Sequence, residues 1–249
     1  MKAILLNLLL LPCMLAAAVA TWLAFVFVWL TVSPFRSRHA YHRMERGIVQ
    51  RFGRFCLWLM RPIAPVELSG GDFRTHHPDS QIFVLNHKSF SDTFLCSLLP
   101  VRDPLVLLNR GASRTPVLGM GIRYLAWLNI TDIPFEEWRE KCFEELAQGA
   151  DIICFPEGTR SGSKPTGPFH SGIFRIAVAK GLSVTPVLIT GNEETPKRGS
   201  IFLKPAKIRM RMLAPVTPAP NEKPFVFKER VRRMMIEELE IMEGKNHVG

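Results

Sequence analysis

The sequence lacks several features that mark large classes of protein. Its five cysteines are odd in number and form no C-x-x-C pair, which indicates reduced core thiols of a cytoplasmic domain. It has no G-x-S-x-G nucleophile turn, so a serine hydrolase is not supported. Gly119-Met120-Gly121 lacks the third glycine of a dinucleotide fingerprint. The chain also contains no internal repeat and no low-complexity tract.

Acidic residues are scarce relative to basic ones. Asp and Glu number 22 against 32 Lys and Arg, which gives a formal net charge of +10. This balance predicts an anionic partner: nucleic acid, a membrane surface or a phosphorylated ligand. Because 47% of the residues are hydrophobic, a disordered polybasic chain is excluded. The length suits one or two domains with a sizeable core.

The N-terminal segment has no charge at all between Ala3 and Val32. A helix of this length rises roughly 45 Å, more than the roughly 30 Å hydrocarbon core of a bilayer. We expect it either to cross the membrane with a tilt or to break at Pro12 into a helical hairpin. A cleaved signal peptide is the alternative, but cleavage near Ala18 would leave a second apolar run with nothing to bury it. Residues 1–32 are therefore predicted to be a retained membrane-embedded segment.

Residues 33–65 carry seven arginines and one acid, Glu45. Apolar residues recur there at helical spacing, which predicts an amphipathic basic helix: Tyr41, Met44, Ile48, Phe52, Phe55 and Leu59. Two interpretations remain open. The arginines are solvated while the apolar side packs on the protein, or the helix rests on anionic lipid headgroups. The adjacent apolar segment favours membrane lipids over nucleic acid as the partner. The positive-inside bias predicts a cytoplasmic catalytic domain, on the inner membrane if the source is bacterial.

From Val66 onward short apolar runs alternate with helical patterns. The predicted strands are Gln81–Leu85, Leu105–Leu108, Trp127–Ile130, Asp151–Phe155 and Ser183–Ile189, and the predicted helices are Asp92–Leu99, Thr115–Ala126, Phe135–Gln148 and His170–Lys180. This alternation predicts an α/β catalytic domain over 66–220, with a mainly parallel sheet flanked by helices. Ile201–Leu203 and Ile208–Leu213 are expected to add a hairpin or an edge pair. Residues 221–249 are expected to end in an amphipathic helix over Phe225–Met242.

One polar cluster follows directly on the strand Gln81–Leu85. It contains His87, and Asp92 lies five residues later. A neutral imidazole can take a proton from a hydroxyl, while a nearby carboxylate fixes its tautomer and stabilises the imidazolium that forms. Asn86 and Ser89 are further candidates in this cluster for substrate binding, and the Asn86 amide is also able to brace the turn. A histidine–aspartate pair that only ties a loop to a helix is the alternative.

A second polar cluster follows the strand Asp151–Phe155. Glu157 and Gly158 open it, Gly158 permits a tight turn, and Thr159 offers a hydroxyl. Arg160 presents a planar donor fork suited to phosphate or carboxylate. Two such turns in a basic, membrane-anchored chain predict one cleft that receives an anionic lipid. No metal site is expected, because the pair His76-His77 lies in a predicted loop without spaced partner ligands.

These residues resemble the glycerolipid acyltransferase family, typified by the lysophosphatidate acyltransferases. The resemblance covers roughly residues 70–215 and rests on three motifs in the family's order: Asn86-His87-x-Ser89-x-x-Asp92, Phe155-Pro156-Glu157-Gly158-Thr159-Arg160-Ser161 and Val184-Thr185-Pro186-Val187. It implies transfer of a fatty acyl chain from acyl-CoA or acyl-carrier protein to the free hydroxyl of a lysolipid, without a cofactor or a metal.

The same resemblance implies roles for individual residues. His87 is the expected general base and Asp92 its orienting partner. The acceptor's phosphate-bearing head is expected to contact Glu157, Gly158, Thr159 and Arg160, and Pro186 is expected to shape the cleft or the acyl pocket.

Two positions depart from the family pattern. Asp132 stands where the family has an arginine, and His170 stands where it tends to have a lysine. Phosphatidate formation from 1-acylglycerol-3-phosphate is the leading expectation. These departures keep open an acceptor with another head group, such as an amino-acid lipid or a glycolipid. A non-catalytic lipid-binding protein of the same fold is a third possibility, although both His87 and Asp92 are present.

Overall fold

The computed structural model describes residues 2–77, 81–108, 128–130, 133–161, 164–197 and 199–244. Its helices are α1 (Lys2–Thr31), α2 (Arg38–Met60), α3 (Asp92–Leu95) with a 3-10 turn at Cys96–Leu98, α4 (Phe135–Ala147), α5 (Gly172–Lys180) and α6 (Pro224–Met242). Its strands are β1 (Val66–Gly70), β2 (Ile82–Leu85), β3 (Pro104–Leu108), β4 (Leu128–Asn129), β5 (Asp151–Cys154), β6 (Val184–Thr190) and β7 (Ile208–Met212). The predicted helix Thr115–Ala126 lies outside the described residues.

The strands form one sheet in the order β1-β7-β6-β2-β5-β3-β4. Neighbouring strands are parallel except β6 and β7, which are antiparallel. The predicted mainly parallel sheet flanked by helices is therefore confirmed. The prediction of a strand at Ile201–Leu203 is wrong, because these residues form no ladder and β7 pairs with β6 and β1 instead. The edge strand β1 was not predicted: four of its five residues are exposed, so it lacks the apolar run of a buried strand.

Alternating side chains of the sheet enter two apolar layers. In β2, Ile82 and Val84 face the layer formed with α4, α5 and α6, whereas Phe83 and Leu85 face the layer under α2 and α3. Both layers are closed to water, because the described β2 side chains are fully buried. Polar residues that follow the strands are thus left at the rim of the sheet, where a site can form.

The cysteines divide between the core and the surface. Cys56, Cys96, Cys142 and Cys154 are buried and unpaired, whereas Cys13 is exposed on α1 and so is not the core thiol that was expected. Burial raises the pKa of the Cys142 thiol to about 12, which makes it unreactive near neutral pH.

Helix α1 runs without a break through Pro12, so of the two expected alternatives the structure has the single helix and not the hairpin. Its stretch Ile4–Thr31 is long and apolar enough to cross a membrane. A stripe that includes Asn7, Leu10, Phe25 and Val28 is buried, but most other side chains are exposed, among them Leu8, Leu15, Trp22, Phe27 and Trp29. The helix thus lies against the protein along one side and presents an apolar face along the other.

Helix α2 confirms the predicted helix, and its buried residues differ from the apolar stripe that the sequence spacing indicates. Gly53, Cys56, Leu57 and Met60 are buried, whereas the expected apolar stripe contributes the exposed Met44 and Phe55. A Cβ at position 53 would lie 2.8 Å from the Ser97 Cβ, so glycine lets α2 approach the 3-10 turn closely. The buried residues differ from the apolar stripe because α2 packs on two partners, the catalytic domain and α1.

Arg46, one of the seven arginines in residues 33–65, is buried in α2 with 1% of its surface exposed. Its Nη1 lies 3.0 Å from Asp103 Oδ1 and 2.8 Å from Glu145 Oε2. These acids lie before β3 and on α4, so the arginine fastens α2 to the catalytic domain. The pKa of Arg46 is raised, because hydrogen bonds and charge attraction from the two carboxylates outweigh the opposing effect of burial.

Candidate active site

The two polar clusters meet at the carboxyl ends of β2 and β5, which are adjacent parallel strands. The His87 ring packs on the Phe155 ring with a centroid distance of 4.5 Å. Ser161 donates its backbone N–H to the His87 carbonyl at 2.8 Å, and the His87 N–H donates to Glu157 Oε1 at 2.8 Å. The structure therefore places both motifs in one site, at the rim where open α/β sheets bind ligands.

His87 and Asp92 form a close pair. His87 Nδ1 lies 2.7 Å from Asp92 Oδ2, and the same oxygen accepts backbone N–H groups from Lys88 at 2.7 Å and Ser89 at 2.9 Å. Asp92 is fully buried at the start of α3, while the His87 side chain is 22% exposed. A carboxylate with three donors on one oxygen holds the Nδ1–H tautomer, so the Nε2 lone pair is available to accept a proton.

Asn192 also contacts this pair, and it was not among the predicted site residues. It follows β6, the other neighbour of β2, and its Nδ2 donates to Asp92 Oδ1 at 2.5 Å and to Ser91 Oγ at 3.0 Å. Asn192 is fully buried, so its amide orients the carboxylate away from water. The available signal was a polar residue directly after a third apolar strand, but its pairing with a residue 100 positions earlier depends on strand order.

Lys88 is a further residue that sequence reasoning missed. Its ammonium is buried, donates to the Lys164 carbonyl at 2.5 Å, and lies 3.8 Å from Glu193 and 3.6 Å from Glu243. These partners come from three separate segments. Lys88 therefore ties the histidine loop to the loop after β6 and to the end of α6.

Asn86 and Ser89 form hydrogen bonds to backbone groups of the protein. Asn86 is fully buried and makes two bonds to one residue of β6: its Nδ2 donates to the Ile189 carbonyl at 2.9 Å and its Oδ1 accepts the Ile189 N–H at 2.7 Å. Ser89 Oγ donates to the carbonyls of Thr195 at 3.2 Å and Pro196 at 3.1 Å. We therefore revise both from substrate-binding candidates to residues that hold the histidine loop.

Glu157 has a similar role in the second motif. It is 3% exposed, and its oxygens accept the backbone N–H groups of His87 at 2.8 Å and Gly167 at 2.6 Å. Burial raises the pKa of this carboxyl, although the hydrogen bonds from Gly167 and His87 act in the opposite direction. The carboxylate is thus occupied by the protein itself. We revise its predicted contact with the acceptor to a contact that fixes the His87 backbone.

Replacing Glu157 with alanine is expected to lower the free energy of unfolding by about 2–4 kcal/mol, because two buried backbone donors lose their acceptor. Urea denaturation followed by circular dichroism measures this. Glu144→Ala, at an exposed position on α4, is the matched control and is expected to change stability by less than about 0.5 kcal/mol. Equal stability of the two variants would contradict the anchoring role.

The remaining residues of the second motif are more open. Gly158 adopts a left-handed φ of 65°, which makes the sharp turn that glycine permits. Thr159 is exposed, and Arg160 is half-buried without a hydrogen bond or ion pair to any described residue. Ser161, the next residue, also donates Oγ to the His87 carbonyl at 3.1 Å. Arg160 is therefore the neighbour in sequence of a residue that binds the His87 backbone, and its donors have no partner among the described residues.

Pro186 does not lie at this rim. It is buried within β6 opposite Val84, three residues before the Ile189 that binds Asn86. Pro186 was expected to shape the cleft or the acyl pocket, but it lies inside the sheet. Asp132 lies outside the described residues. His170 is exposed, and its N–H donates to the Pro156 carbonyl at 2.8 Å.

An apolar cavity of about 260 Å³ adjoins the histidine. Phe155, which packs on His87, forms part of its wall, and Gly158 and His170 lie at its polar side. The other lining side chains are mostly apolar: Leu107, Ile130, Trp138, Cys154, Pro156 and Ile173. The site thus combines a proton acceptor, an unpaired cation and an apolar cavity.

The family model described as Acyltransferase matches residues 71–190, which include His87, Asp92 and Arg160. Over these residues the chain carries an acyltransferase domain. A structural neighbour is the crystal structure of the 1-acyl-sn-glycerophosphate acyltransferase PlsC from Thermotoga maritima, with a TM-score of 0.74 over 97% of this chain and 98% of that chain at 24% identity. At this identity the likeness establishes the shared fold.

Curated relatives of this acyltransferase carry one activity in their names. A 1-acyl-sn-glycerol-3-phosphate acyltransferase from Pseudomonas aeruginosa is 27% identical over 75% of this chain and 71% of its own length. A protein of the same name from Cocos nucifera is 24% identical over 81% of this chain, and the match spans 66% of its length. A chloroplastic one from Brassica napus is 29% identical over 48% of this chain, with 35% of its own length spanned.

Proposed function

We propose that this acyltransferase moves a fatty acyl chain from a thioester, acyl-CoA or acyl-carrier protein, to the free hydroxyl of 1-acylglycerol-3-phosphate, giving phosphatidate. The observation that carries the proposal is the pairing of His87 with the buried Asp92, which leaves the His87 Nε2 open, in a site whose second motif carries Arg160 without a partner among the described residues. The names of the relatives support the acceptor. The thioester donor is inferred from the chemistry of a site that offers a base.

The histidine acts on the acceptor hydroxyl. Nε2 removes the hydroxyl proton while the oxygen attacks the thioester carbonyl carbon, and the buried Asp92 stabilises the imidazolium that forms. Collapse of the tetrahedral intermediate breaks the carbon–sulfur bond, and the proton passes from Nε2 to the departing sulfur. The donor is already activated, so this route needs neither an acyl-enzyme nor a metal.

Arg160 and the apolar cavity are proposed to bind different parts of the acceptor. The Arg160 guanidinium, which has no partner among the described residues, is suited to attract the acceptor phosphate. The cavity against Phe155 is suited to part of an acyl chain, since its walls are mostly apolar. In this proposal the phosphate end of the lysolipid meets Arg160 and its acyl end enters the cavity.

The membrane position follows from helices α1 and α2. The outer face of α1 is apolar over its whole length, and α2 adds exposed Trp58 and Phe55 with exposed Arg51 and Arg54. Because the first turns of α1 also pack on the catalytic domain, the helix is proposed to lie within one leaflet rather than to cross the bilayer. The arginines then meet anionic headgroups, on the cytoplasmic side of the membrane.

The function is tested with purified protein in lipid vesicles, supplied with acyl-CoA or acyl-carrier protein and with lysolipids that differ only in head group. Mass spectrometry identifies the product. Acylation of 1-acylglycerol-3-phosphate in preference to the others is expected. A preference for an amino-acid lipid or a glycolipid would support acyl transfer but contradict 1-acylglycerol-3-phosphate as the acceptor. Lipid binding without product would show that the protein is not an enzyme for these lipids.

Arg160→Leu is expected to raise KM for the phosphate-bearing acceptor about 10- to 100-fold, because one charge-assisted contact is lost. Its effect on a phosphate-free lysolipid of the same chain length is expected to be below about threefold. Arg233→Leu, an exposed arginine on α6, is the matched control for loss of one positive charge. An equal loss on both acceptors would show that Arg160 does not bind phosphate.

A further inference from the structure

The loop between β6 and β7 has an exposed apolar tip. Ile201 is 68% exposed and Phe202 is 52% exposed, whereas the next residue, Leu203, is buried. Leu203 packs in the apolar layer that also contains Leu10 of α1. The exposed tip is therefore held next in sequence to a residue that packs with α1, whose outer face also exposes apolar side chains such as Leu8 and Leu9.

Asn7 joins α1 to this loop. Its Nδ2 donates to the Leu203 carbonyl at 2.8 Å, and its Oδ1 accepts the Leu203 N–H at 2.8 Å. Asn7 is 3% exposed in a helix that is otherwise almost entirely apolar. A polar side chain in such a helix is costly unless its hydrogen bonds are made, so the pairing with Leu203 fixes the loop to one place on α1.

The loop is joined in turn to the histidine pair. The carbonyl of Lys204, next to Leu203, accepts a hydrogen bond from Thr195 Oγ1 at 2.9 Å. The carbonyls of Thr195 and Pro196 accept Ser89 Oγ, and the Ser89 N–H donates to Asp92 Oδ2. A continuous path of buried or half-buried polar contacts thus runs from Asn7 on α1 to the carboxylate that holds His87.

We propose that this path couples the seating of α1 and the loop tip in a lipid surface to the position of the His87–Asp92 pair, with Asn7 and Ser89 as positioning residues. The apolar tip and the outer face of α1 enter the lipid together, and the Asn7–Leu203 pairing then sets the loop that carries Thr195. The proposal rests on the proposed function, because it assigns these residues to the placement of that base.

The test compares Asn7→Leu, Ser89→Ala and the double variant in lipid vesicles. Thr21→Val and Ser97→Ala are matched controls, since Thr21 Oγ1 and Ser97 Oγ bond only to carbonyls within their own helical turn. Initial rates give kcat and KM. Vesicle sedimentation measures the bound fraction, and hydrogen exchange measures the protection of residues 87–92.

Each single variant is expected to lower kcat about 10-fold or more at unchanged KM, because a displaced Asp92 no longer holds the His87 ring in position for proton transfer. The double variant is expected to lose little more than either single one, since both cut one path. Faster exchange at residues 87–92 in vesicle-bound Asn7→Leu is expected as well.

The proposal would be overturned if the losses in kcat of the two single variants added up in the double variant. It would also be overturned if Asn7→Leu matched Thr21→Val in kcat and in hydrogen exchange. A fall in the bound fraction alone would overturn it too, because α1 would then only attach the enzyme. Failure of the proposed function is distinguishable, since the unmodified protein would then form no phosphatidate, while the exchange comparison would still report on the coupling.

Discussion

Replacing His87 with alanine is expected to lower kcat about 1,000-fold, since general base catalysis contributes on the order of 10²–10⁴ in rate. The reason is structural as well as chemical. Of the two ring nitrogens of His87, Nδ1 is engaged with Asp92 and Nε2 is not, and the ring is held against Phe155. Without the imidazole, the acceptor hydroxyl loses its proposed proton acceptor. Product formation under saturating donor and acceptor measures the effect.

The control for this variant is His77→Ala, an exposed histidine in the loop that precedes β2. It is expected to keep the activity of the unmodified protein. Because the His87 ring is partly exposed, the alanine variant is also expected to remain folded, which circular dichroism checks. Turnover that survives in His87→Ala would remove this residue from its role as base.

Asp92→Asn is expected to lower kcat about 100- to 1,000-fold while the protein stays folded. The amide oxygen can take the place of Oδ2 and accept from His87, Lys88 and Ser89. The new amide N–H then meets Asn192, whose Oδ1 has no other partner and can accept once that side chain flips. The substitution therefore removes the charge and spares the hydrogen-bond pattern.

Turnover of the folded variant distinguishes the effect of charge from that of orientation, because the hydrogen bonds to the His87 loop are retained. Asp72→Asn, an exposed position after β1, is the matched control. Full activity in Asp92→Asn would show that orientation alone, without charge, is what Asp92 provides.

The motifs could be predicted from the sequence because each lies within a few residues of chain and follows an apolar strand. His87 with Asp92 and Gly158 with Arg160 are local patterns of this kind. Residues whose partners are distant were missed or misjudged. Glu157 was expected at the acceptor, but it binds the backbone of His87, 70 positions away, and Asn192 reaches Asp92 from the end of another strand.

The membrane segments show the same limit. Absence of charge between Ala3 and Val32 was enough to predict the apolar helix, because hydropathy is a property of composition. The inward face of α2 and the burial of Arg46 were not accessible in this way, since they depend on which surfaces α2 meets. Nothing in the order of residues indicates that Asn7 pairs with Leu203, 196 positions later.

The sequence by itself determined the class of the protein: an apolar helix, a basic shoulder, an α/β alternation and the residues able to carry acyl transfer. These follow from periodicity and from side-chain chemistry, which act over short stretches of chain. Only the tertiary structure decided which polar side chains face the cleft and which hold it in place. Parallel strands that are far apart in sequence end side by side, so Arg160 remains unpaired while Asn86, Ser89 and Glu157 are committed to the backbone.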